Sequence, residues 1–317
     1  MRDRKMKKVS ILIPCYNAEL WIGQAIQSAL DQTWPDKEVI VVDDGSIDSS
    51  REVIQSFEGR VKFEFAPNRG GNPTRNRLLE LSTGEWVQYL DADDYLLPEK
   101  INHQIQSVDE QVDVVYGPII IQKESAQSIN RTLSQTDASQ DLAEQWIRWH
   151  VCQTGGVLWR RESLLKIGGW NESFSCCQDN EVCLRAIKKG LKFRYSEYQD
   201  TVYRIWSEDT VCRKDPRKVI SIKSQLIQEM LDFLRKTQQI KKAHISAAGE
   251  AVFEMARTLA KSSINDASHY AKTWRNKAIF RASGPAAPLS FQVMMRLLGY
   301  ANAERIAKLT RKKESNE

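Results

Sequence analysis

The chain has 317 residues, and its hydrophobic (41%) and charged (27%) fractions are those of a globular protein of about two domains, not of a disordered chain. No apolar run approaches the roughly 20 residues that a membrane-spanning helix needs. The apolar run at 9–14 is too short for a signal peptide, so we expect a cytoplasmic protein. The net charge of +5 is uneven, because residues 216–317 hold 19 basic and 8 acidic residues. We expect this basic part and the acidic remainder to meet different partners.

Short β-branched runs alternate with helical patterns over residues 8–120. Strands are predicted at 9–14, 38–43, 61–65 and 86–90. Helices are predicted between them, at 19–32, 49–57 and 72–82. This alternation predicts an α/β fold with a mostly parallel sheet that helices cover on both faces.

The second half of the chain changes from mixed to helical patterns. A strand is predicted at 113–121, a loop at 125–140 and a short helix at 142–151. Further strands at 155–159, 192–195 and 201–205 surround a helix predicted at 180–189. The last predicted helices are 217–240, 243–263, 265–280 and, after the Gly284–Pro288 break, 289–309. We therefore predict two domains, an α/β domain at 1–215 and a basic helical extension at 216–317.

The six cysteines show no metal-binding or redox spacing. None forms a Cys-x-x-Cys pair, and no paired histidines accompany them. Cys176 and Cys177 are neighbours, so a bridge between them would be strained. We therefore expect reduced structural thiols and no zinc site.

Polar residues follow three of the predicted strands, as Pro14-Cys15-Tyr16-Asn17, Asp43-Asp44-Gly45-Ser46 and Asp91-Ala92-Asp93-Asp94. The carboxyl ends of parallel strands meet at one edge, where ligands bind. Five carboxylates in a half-dry cleft cost several kcal/mol unless a cation neutralises them. Mg²⁺ or Mn²⁺ uses one or two carboxylates together with phosphate oxygens, so the pattern predicts a metal-bound phosphorylated ligand. The competing interpretation is that these aspartates cap helices and define turns.

Five ordered segments carry a family resemblance: Val9-Ser-Ile-Leu-Ile-Pro-Cys-Tyr-Asn17, Val41-Val-Asp-Asp-Gly-Ser46, Asn68-Arg-Gly to Arg75-Asn76, Gly84-Glu85 and Leu90-Asp-Ala-Asp-Asp94. In order and spacing they closely resemble family 2 glycosyltransferases of the GT-A fold, over roughly residues 8–210. The resemblance implies a GT-A type sheet flanked by helices. It also implies an inverting, metal-dependent transfer from a nucleotide-diphosphate sugar, by family habit a UDP-sugar. The expected acceptor is a glycan or a lipid-linked molecule of bacterial surface-glycan assembly.

The resemblance places the nucleobase beside the first two strand ends. Tyr16 would stack on the base, Asp44 would accept a hydrogen bond from its ring N–H, and Pro14 would offer its carbonyl. Asn17 and Asp43 belong to the same implied nucleotide-sugar site. For Tyr16 the competing interpretation is an ordinary core or surface aromatic.

The ribose and diphosphate would lie beside the third strand end. Asp91 would sit near the ribose, Ala92 belongs to the same implied nucleotide-sugar site, and Arg75 would contact the nucleotide. The resemblance makes Asp93 the ligand of Mn²⁺ or Mg²⁺, which bridges the phosphates and acts as a Lewis acid on the leaving diphosphate. For Arg75 the competing interpretation is a solvated charge on a helix surface.

An inverting transfer needs a base for the acceptor hydroxyl. The family places it in a Glu-Asp pair after a Gly-Gly-aromatic turn, and here Gly168-Gly169-Trp170 precedes Gln178-Asp179. Asp179 is therefore the implied base, with a helix N-cap as its competing role. A helix N-terminus stabilises the ionised carboxylate and weakens it as a base. A hydrophobic acceptor pocket containing Trp170 could offset that effect.

Two departures from the family pattern raise other possibilities. Gln178 stands where the family has Glu, and Trp206 stands where members often carry a His that reaches the diphosphate. Arg204 or Arg213 could supply the missing positive charge. A catalytically degenerate scaffold is the alternative to an enzyme, whereas a nucleotidyltransferase is disfavoured because no Gly-rich loop follows the first strand.

The C-terminal segment 289–313 combines an apolar stripe with a basic face. Such a helix suits the surface of an anionic membrane. It equally suits packing on the catalytic domain with the charged face in water. No aromatic–basic interleaving or known module is visible, so we expect no nucleic-acid binding.

Overall fold

The computed structural model describes residues 7–125, 128–206 and 215–314, with side chains to residue 309. They fall into two units. The first comprises 7–139 and 150–206, and the second comprises 140–149 and 215–314.

The strands of the first unit are, in chain order, β1 (Val9–Cys15), β2 (Lys37–Asp44), β3 (Lys62–Ala66), β4 (Trp86–Tyr89), β5 (Tyr95–Leu96), β6 (Val114–Tyr116), β7 (Ile120–Glu124), β8 (Ile129–Leu133), β9 (Val157–Arg160), β10 (Phe193–Tyr195) and β11 (Thr201–Ile205). The helices up to residue 188 are α1 (Ile22–Leu30), α2 (Ser50–Gln55), α3 (Gly71–Leu81), α4 (Lys100–Gln106), α5 (Leu142–Ile147), α6 (Arg161–Lys166) and α7 (Gln178–Lys188). All of these helices except α5 belong to the first unit.

The main sheet of the first unit has seven strands in the order β10-β6-β9-β4-β1-β2-β3. β1 is parallel to both β2 and β4, and β9 alone runs antiparallel to its neighbours. The predicted mostly parallel sheet and GT-A type fold are confirmed. Because β4, β1 and β2 are adjacent and parallel, the three polar strand ends predicted above lie side by side.

Burial on both faces explains why the central strands are continuously apolar. In β1, both Ile11 and Leu12 are buried although they point to opposite faces. One face packs on α1 through Ile22 and Ile26, and the buried Trp86 of β4 belongs to the same core. The β1–β2–β4 frame that carries the strand ends is therefore part of the buried core.

A second sheet, in the order β5-β11-β7-β8, adjoins the end of β4 along the chain. The predicted single strand at 113–121 is wrong, because β6 and β7 belong to different sheets. Gly117 divides them where the chain passes so close to Ser196 that a Cβ would meet its carbonyl oxygen at 2.5 Å. The predicted loop at 125–140 contains β8, whose five residues are all exposed, so no buried face marks it as a strand.

The expectation of reduced cysteines fails for one pair, since Cys152 and Cys183 form a disulfide. Their Cα atoms lie 6.4 Å apart although 31 residues separate them in sequence. The fold brings the segment before β9 against α7, and no spacing along the chain reveals that approach. Cys15, Cys176 and Cys177 are buried thiols, as expected. Cys212 lies outside the described residues.

The second unit is helical, with α5 joined by α8 (Pro216–Lys236), α9 (Lys242–Ser262), α10 (Ile264–Asn276) and α11 (Leu289–Glu314). Gly299 has a positive φ of 76° and divides α11 into two helical halves. Across the described parts of the chain, every helix is too short or too polar to cross a membrane.

Helix α5 packs in the second unit, whereas the predicted division at 215/216 assigns it to the first domain. Asp141 caps α5 by accepting the backbone N–H of Ala143. The same carboxylate bonds Lys241 Nζ at 2.6 Å and His244 Nε2 at 2.9 Å at the start of α9. These bonds come from residues about 100 positions away. Local sequence patterns therefore do not predict that α5 belongs to the second unit. Otherwise the division at 215/216 stays a prediction.

Glu38 joins the amino ends of three strands, and its pKa gives a stability prediction. Burial alone would raise this pKa, but hydrogen bonds from Lys62, Ser10 and Thr83 outweigh it and lower the pKa from 4.5 to about 2. We expect Glu38→Gln to lower the free energy of unfolding by about 2 kcal/mol at pH 7. Because the folded pKa is depressed, this contribution is full above pH 4.5 and fades as the pH falls towards 2.

Denaturant unfolding of the Glu38→Gln variant between pH 7 and pH 3 measures this effect. The difference in the free energy of unfolding between the variant and the natural protein should become smaller as the pH falls. The exposed Glu52→Gln serves as a control with a small, pH-independent effect. A difference that is constant with pH contradicts the prediction.

Candidate active site

Hydrogen bonds join the segments that follow β1 and β2, and the ring of Tyr16 in the first of these segments is exposed to solvent. Asn17 has a positive φ of 48°; its N–H donates to Ser46 Oγ, and its Oδ1 accepts the N–H of Ile47, both at 2.9 Å. Tyr16 beside it is 52% exposed. Its ring is therefore not a core aromatic and is open to a planar ligand, while Pro14 lies opposite Val42 in the neighbouring strand.

Asp43 and Asp44 bind loops of the protein itself. Asp43 is fully buried and accepts the N–H of Ser46 and the Nε of Arg51, both at 3.0 Å. The oxygens of Asp44 accept the backbone N–H groups of Arg69 and Gly70, at 2.8 and 2.9 Å. For Asp43 the turn-defining interpretation thus has direct support, and a contact with the nucleotide stays a prediction for both residues.

Arg75 points inwards from α3 and pairs with the acidic turn. Its NH2 lies 2.7 Å from Asp91 Oδ1, and its guanidinium stacks 4.9 Å above the Trp170 ring. The side chain is only 11% exposed, so the alternative of a solvated surface charge is wrong. Its buried Nε has no hydrogen-bond partner within the described residues. Arg75 thus offers an N–H donor beside the predicted diphosphate position.

Negative charge is concentrated in the Asp91–Asp94 turn, of which Ala92 is a buried member. Burial raises the pKa of Asp93, and repulsion from Asp91 adds to the effect. Burial and then repulsion from Asp93 and Asp91 raise the pKa of Asp94 well above its usual value. A divalent cation would relieve this repulsion.

The donor set of this turn fits Mg²⁺ or Mn²⁺. Both cations prefer oxygen ligands, and Mg²⁺ typically takes only one or two carboxylates. Within the described residues no group of three or more His, Cys, Asp or Glu side chains could hold a metal alone. The remaining ligands would therefore come from water and phosphate oxygens, with Asp93 as the nearest match to the implied protein ligand.

Arg204 does not supply the missing charge for the diphosphate. Its side chain is 2% exposed and lies 2.9 Å from Glu124. Its NH1 donates to the carbonyl of Asp93 at 2.8 Å, and its NH2 donates to Gln24 Oε1 at 2.6 Å. These contacts hold the guanidinium inside the fold. The other candidate, Arg213, lies outside the described residues.

The Gly168-Gly169-Trp170 turn is fastened to α3. Asn76 accepts the N–H of Trp170 at 2.8 Å and donates to its carbonyl at 2.9 Å. Gly169 has φ 63°, and a Cβ there would meet Asn76 Oδ1 at 2.7 Å. Asn72 similarly donates to the carbonyl of Asn171 at 2.7 Å. The segment leading to Asp179 is thus fixed to the helix that carries Arg75.

Asp179 is the second residue of α7, and the N-cap is Cys177, which has φ 57°. Asp179 therefore does not occupy the N-cap position itself, and its role as the base stays a prediction. Its Oδ1 accepts the backbone N–H of Asn180 at 2.9 Å and the side-chain N–H at 3.1 Å. Trp170 is buried beneath Arg75 and against Tyr89, so the suggested acceptor pocket walled by this ring is not found.

The sheet order, the acidic turn after β4 and the inward arginine define a GT-A glycosyltransferase. The crystal structure of S. aureus TarS 1–349 with UDP-GlcNAc matches with a TM-score of 0.64 at 15% identity, covering 97% of this chain and 92% of that one. The mannosyltransferase PcManGT from Pyrobaculum calidifontis, solved with GDP-Man and Mn²⁺, matches with a TM-score of 0.51 at 16% identity, covering 96% and 88%. These likenesses establish the fold.

The family model described as Glycosyl transferase family 2 matches residues 10–168, half of the chain. The protein belongs to this family and is a glycosyltransferase. The GalNAc(5)-diNAcBac-PP-undecaprenol beta-1,3-glucosyltransferase of Campylobacter jejuni is 29% identical over 65% of this chain and 67% of its own length. An uncharacterized glycosyltransferase of Haemophilus influenzae is 39% identical over 32% and 42%, and alr2836 of Nostoc is 34% identical over 50% and 53%. The chain thus matches between 42% and 67% of the length of these relatives.

Proposed function

We propose that this glycosyltransferase transfers a sugar from a UDP-sugar to a hydroxyl acceptor, with inversion and with Mn²⁺ or Mg²⁺ as cofactor. The observation that carries the proposal is the order of the adjacent ends of β2, β1 and β4. They set an exposed ring, Tyr16, after the middle strand β1 and the charged Asp91–Asp93 turn after the neighbouring strand β4. A nucleotide-diphosphate sugar likewise combines a planar base with a charged diphosphate.

The chain's own residues would bind the donor in three places. Tyr16 would stack on the base, and Asp91 would accept the ribose hydroxyl while it orients Arg75 through their 2.7 Å ion pair. The buried Nε of Arg75 would donate to a phosphate oxygen. Asp93 would hold the metal, which supplies Lewis-acid stabilisation of the leaving diphosphate when bound.

Asp179 would accept the proton of the acceptor hydroxyl as the oxygen attacks the anomeric carbon. The new glycosidic C–O bond forms while the bond from that carbon to the diphosphate breaks, so attack from the opposite side inverts the configuration. Asn180 donates two hydrogen bonds to Oδ1 of Asp179. These bonds orient the carboxylate.

The acceptor is proposed to be a glycan or a lipid-linked glycan of polysaccharide biosynthesis. The Campylobacter jejuni relative is named for an undecaprenol-linked acceptor. The TarS structures, solved with UDP-GlcNAc and with UDP, support uridine in the donor, whereas PcManGT was solved with GDP-Man.

A thermal-shift screen of nucleotides and sugar nucleotides with Mn²⁺ tests the donor, because a ligand that binds only the folded state raises Tm. We expect UDP and one UDP-sugar to stabilise the protein and GDP to have a smaller effect. Release of nucleoside diphosphate with an undecaprenyl-linked glycan then tests transfer. Tight nucleotide binding without turnover of any sugar nucleotide supports the degenerate scaffold suggested by Gln178.

Tyr16 gives a separate prediction for donor binding. Stacking of a base on an aromatic ring contributes about 1–3 kcal/mol. We expect Tyr16→Ala to raise the KM for the donor about tenfold or more and Tyr16→Phe to leave it nearly unchanged. Steady-state kinetics of both variants measure this, and an equal KM in the alanine variant removes Tyr16 from the base site.

We also propose that α11 rests on an anionic membrane surface. Leu289, Val293 and Leu297 recur every four residues, so they share one face, and all three are more than half exposed. The opposite side packs within the second unit through Phe291 and Tyr300. The charge of this region, 19 basic against 8 acidic residues from 216 onward, favours anionic lipid.

Co-sedimentation with phosphatidylglycerol vesicles tests the membrane surface. We expect the full chain to pellet at low salt and a Leu289→Ser, Val293→Ser, Leu297→Ser variant to stay in the supernatant. The substituted side chains are exposed, so the packing of α11 within its unit is kept. Pelleting of both proteins, or of neither, contradicts the proposal.

A further inference from the structure

The described end of β11 contacts the proposed metal ligand. Trp206, directly after this strand, donates its indole N–H to Asp93 Oδ2 at 3.0 Å. The indole also packs on Trp21, with ring centroids 5.9 Å apart. Trp206 nevertheless remains 43% exposed. An apolar contact alone does not require the polar edge of the ring to face a carboxylate.

The same strand fixes the backbone of the acidic turn. The backbone N–H of Arg204 donates to Asp94 Oδ1 and its guanidinium donates to the carbonyl of Asp93, both at 2.8 Å. The guanidinium lies between the rings of Trp21 and Tyr95, at 4.4 and 5.1 Å from their centroids. With the turn held in this way, the remaining freedom of Asp93 lies in its carboxylate, which the indole of Trp206 contacts.

We propose that Trp206 is a positioning residue that orients the Asp93 carboxylate, so that a divalent cation binds through Oδ1. The inference rests on the proposed metal-dependent function. An indole N–H is a donor and cannot coordinate a cation. It occupies one carboxylate oxygen and leaves the other for the metal. This would give Trp206 a role different from that of a histidine at the same place, which could itself reach the diphosphate or the metal.

The size of the effect follows from other metal sites. Hydrogen bonds to ligating carboxylates and imidazoles orient the ligand, and their loss typically costs about 10–100-fold in metal affinity. Trp206→Phe retains an aromatic ring beside Trp21 and removes the N–H donor together with part of the ring area. A matched control is Trp34→Phe, because Trp34 Nε1 also donates a hydrogen bond, to the Lys7 carbonyl at 2.9 Å, but at the amino end of β1.

The experiment titrates Mn²⁺ into the full chain with UDP and follows free Mn²⁺ by electron paramagnetic resonance. We expect Trp206→Phe to weaken Mn²⁺ binding about tenfold or more and Trp34→Phe to leave it unchanged. In transfer assays, the Trp206→Phe variant should need more Mn²⁺ for half-maximal rate yet approach the natural kcat at saturating Mn²⁺. A purely structural role would not separate these two quantities.

Two outcomes overturn the inference, and they differ. If the natural protein binds Mn²⁺ with UDP and Trp206→Phe binds it equally well, Trp206 does not position Asp93 and the proposed function stands. If the natural protein binds no Mn²⁺ with UDP or GDP, the metal-dependent function fails together with this inference. Thermal unfolding of both variants shows whether either substitution disturbs the fold.

Discussion

Replacing Asp179 by asparagine is expected to lower kcat by about 10²–10⁴-fold, the range that a positioned general base contributes. The amide has nearly the same shape and its oxygen still accepts from Asn180, but it takes no proton from the acceptor hydroxyl. The KM for the donor should change little, because the proposed role of Asp179 is towards the acceptor hydroxyl and not towards the donor. Sugar transfer measured at saturating donor and acceptor checks this.

The pH profile distinguishes a lost base from a damaged fold. The kcat of the natural enzyme should fall at acidic pH as its base becomes protonated. The residual kcat of the Asp179→Asn variant should not show this fall. Asp31→Asn, an exposed carboxylate after α1, is the control with ordinary kinetics. Transfer at the natural rate by the Asp179 variant would assign the proton to another group.

Gln178 beside this base has a structural explanation but no catalytic one. Its Nε2 lies 3.4 Å from the Phe174 carbonyl, and a Cβ on Gly71 would lie 4.0 Å from the same nitrogen. The amide thus fills the space between the turn before α7 and the start of α3. A glutamate there would bring a charge close to Arg75, so Gln178→Glu gives a direct comparison with the family pattern.

The parts of the site that could be predicted from the sequence are those at strand ends. An apolar strand followed by a polar turn is a local signal, and parallel strands bring such turns to one edge. Tyr16, Asp44 and Asp91 were located in this way. The buried position of Asp43 was not predictable, because its partner Arg51 lies on the following helix and reaches the carboxylate only in the folded chain.

The contacts of β11 could not be predicted because they join residues more than 100 positions apart. In sequence, Trp206 is visible only as a departure from a family pattern, and Arg204 as a free positive charge. Neither signal shows that the guanidinium is buried between two rings. Asp94, for which the sequence gives no role, accepts the N–H of Arg204 and so ties the turn to the second sheet.

The acidic turn is the passage from the main sheet to the second sheet, since β4 precedes it and β5 follows it. Arg75 from α3 pairs with Asp91 on one side, and Arg204 from β11 holds the Asp93 backbone on the other. Two arginines therefore partly offset three carboxylates. Asp94 is fully buried, whereas Asp93 is only partly buried and its carboxylate receives a neutral indole N–H, so Asp93 is the carboxylate that we expect to bind a cation.

Replacing Asp93 by asparagine is accordingly expected to lower kcat/KM by about 10³-fold, because Lewis-acid stabilisation is worth several kcal/mol and each 1.4 kcal/mol is tenfold. Asp94→Asn keeps an oxygen for the N–H of Arg204, so we expect a loss of less than about tenfold. The two neighbours thus separate metal binding from turn structure. Mn²⁺ titration with UDP should show weak binding in the first variant and nearly natural binding in the second. Equal losses of kcat/KM in the Asp93→Asn and Asp94→Asn variants would mean that the cation is bound by the combined charge of the turn rather than by Asp93.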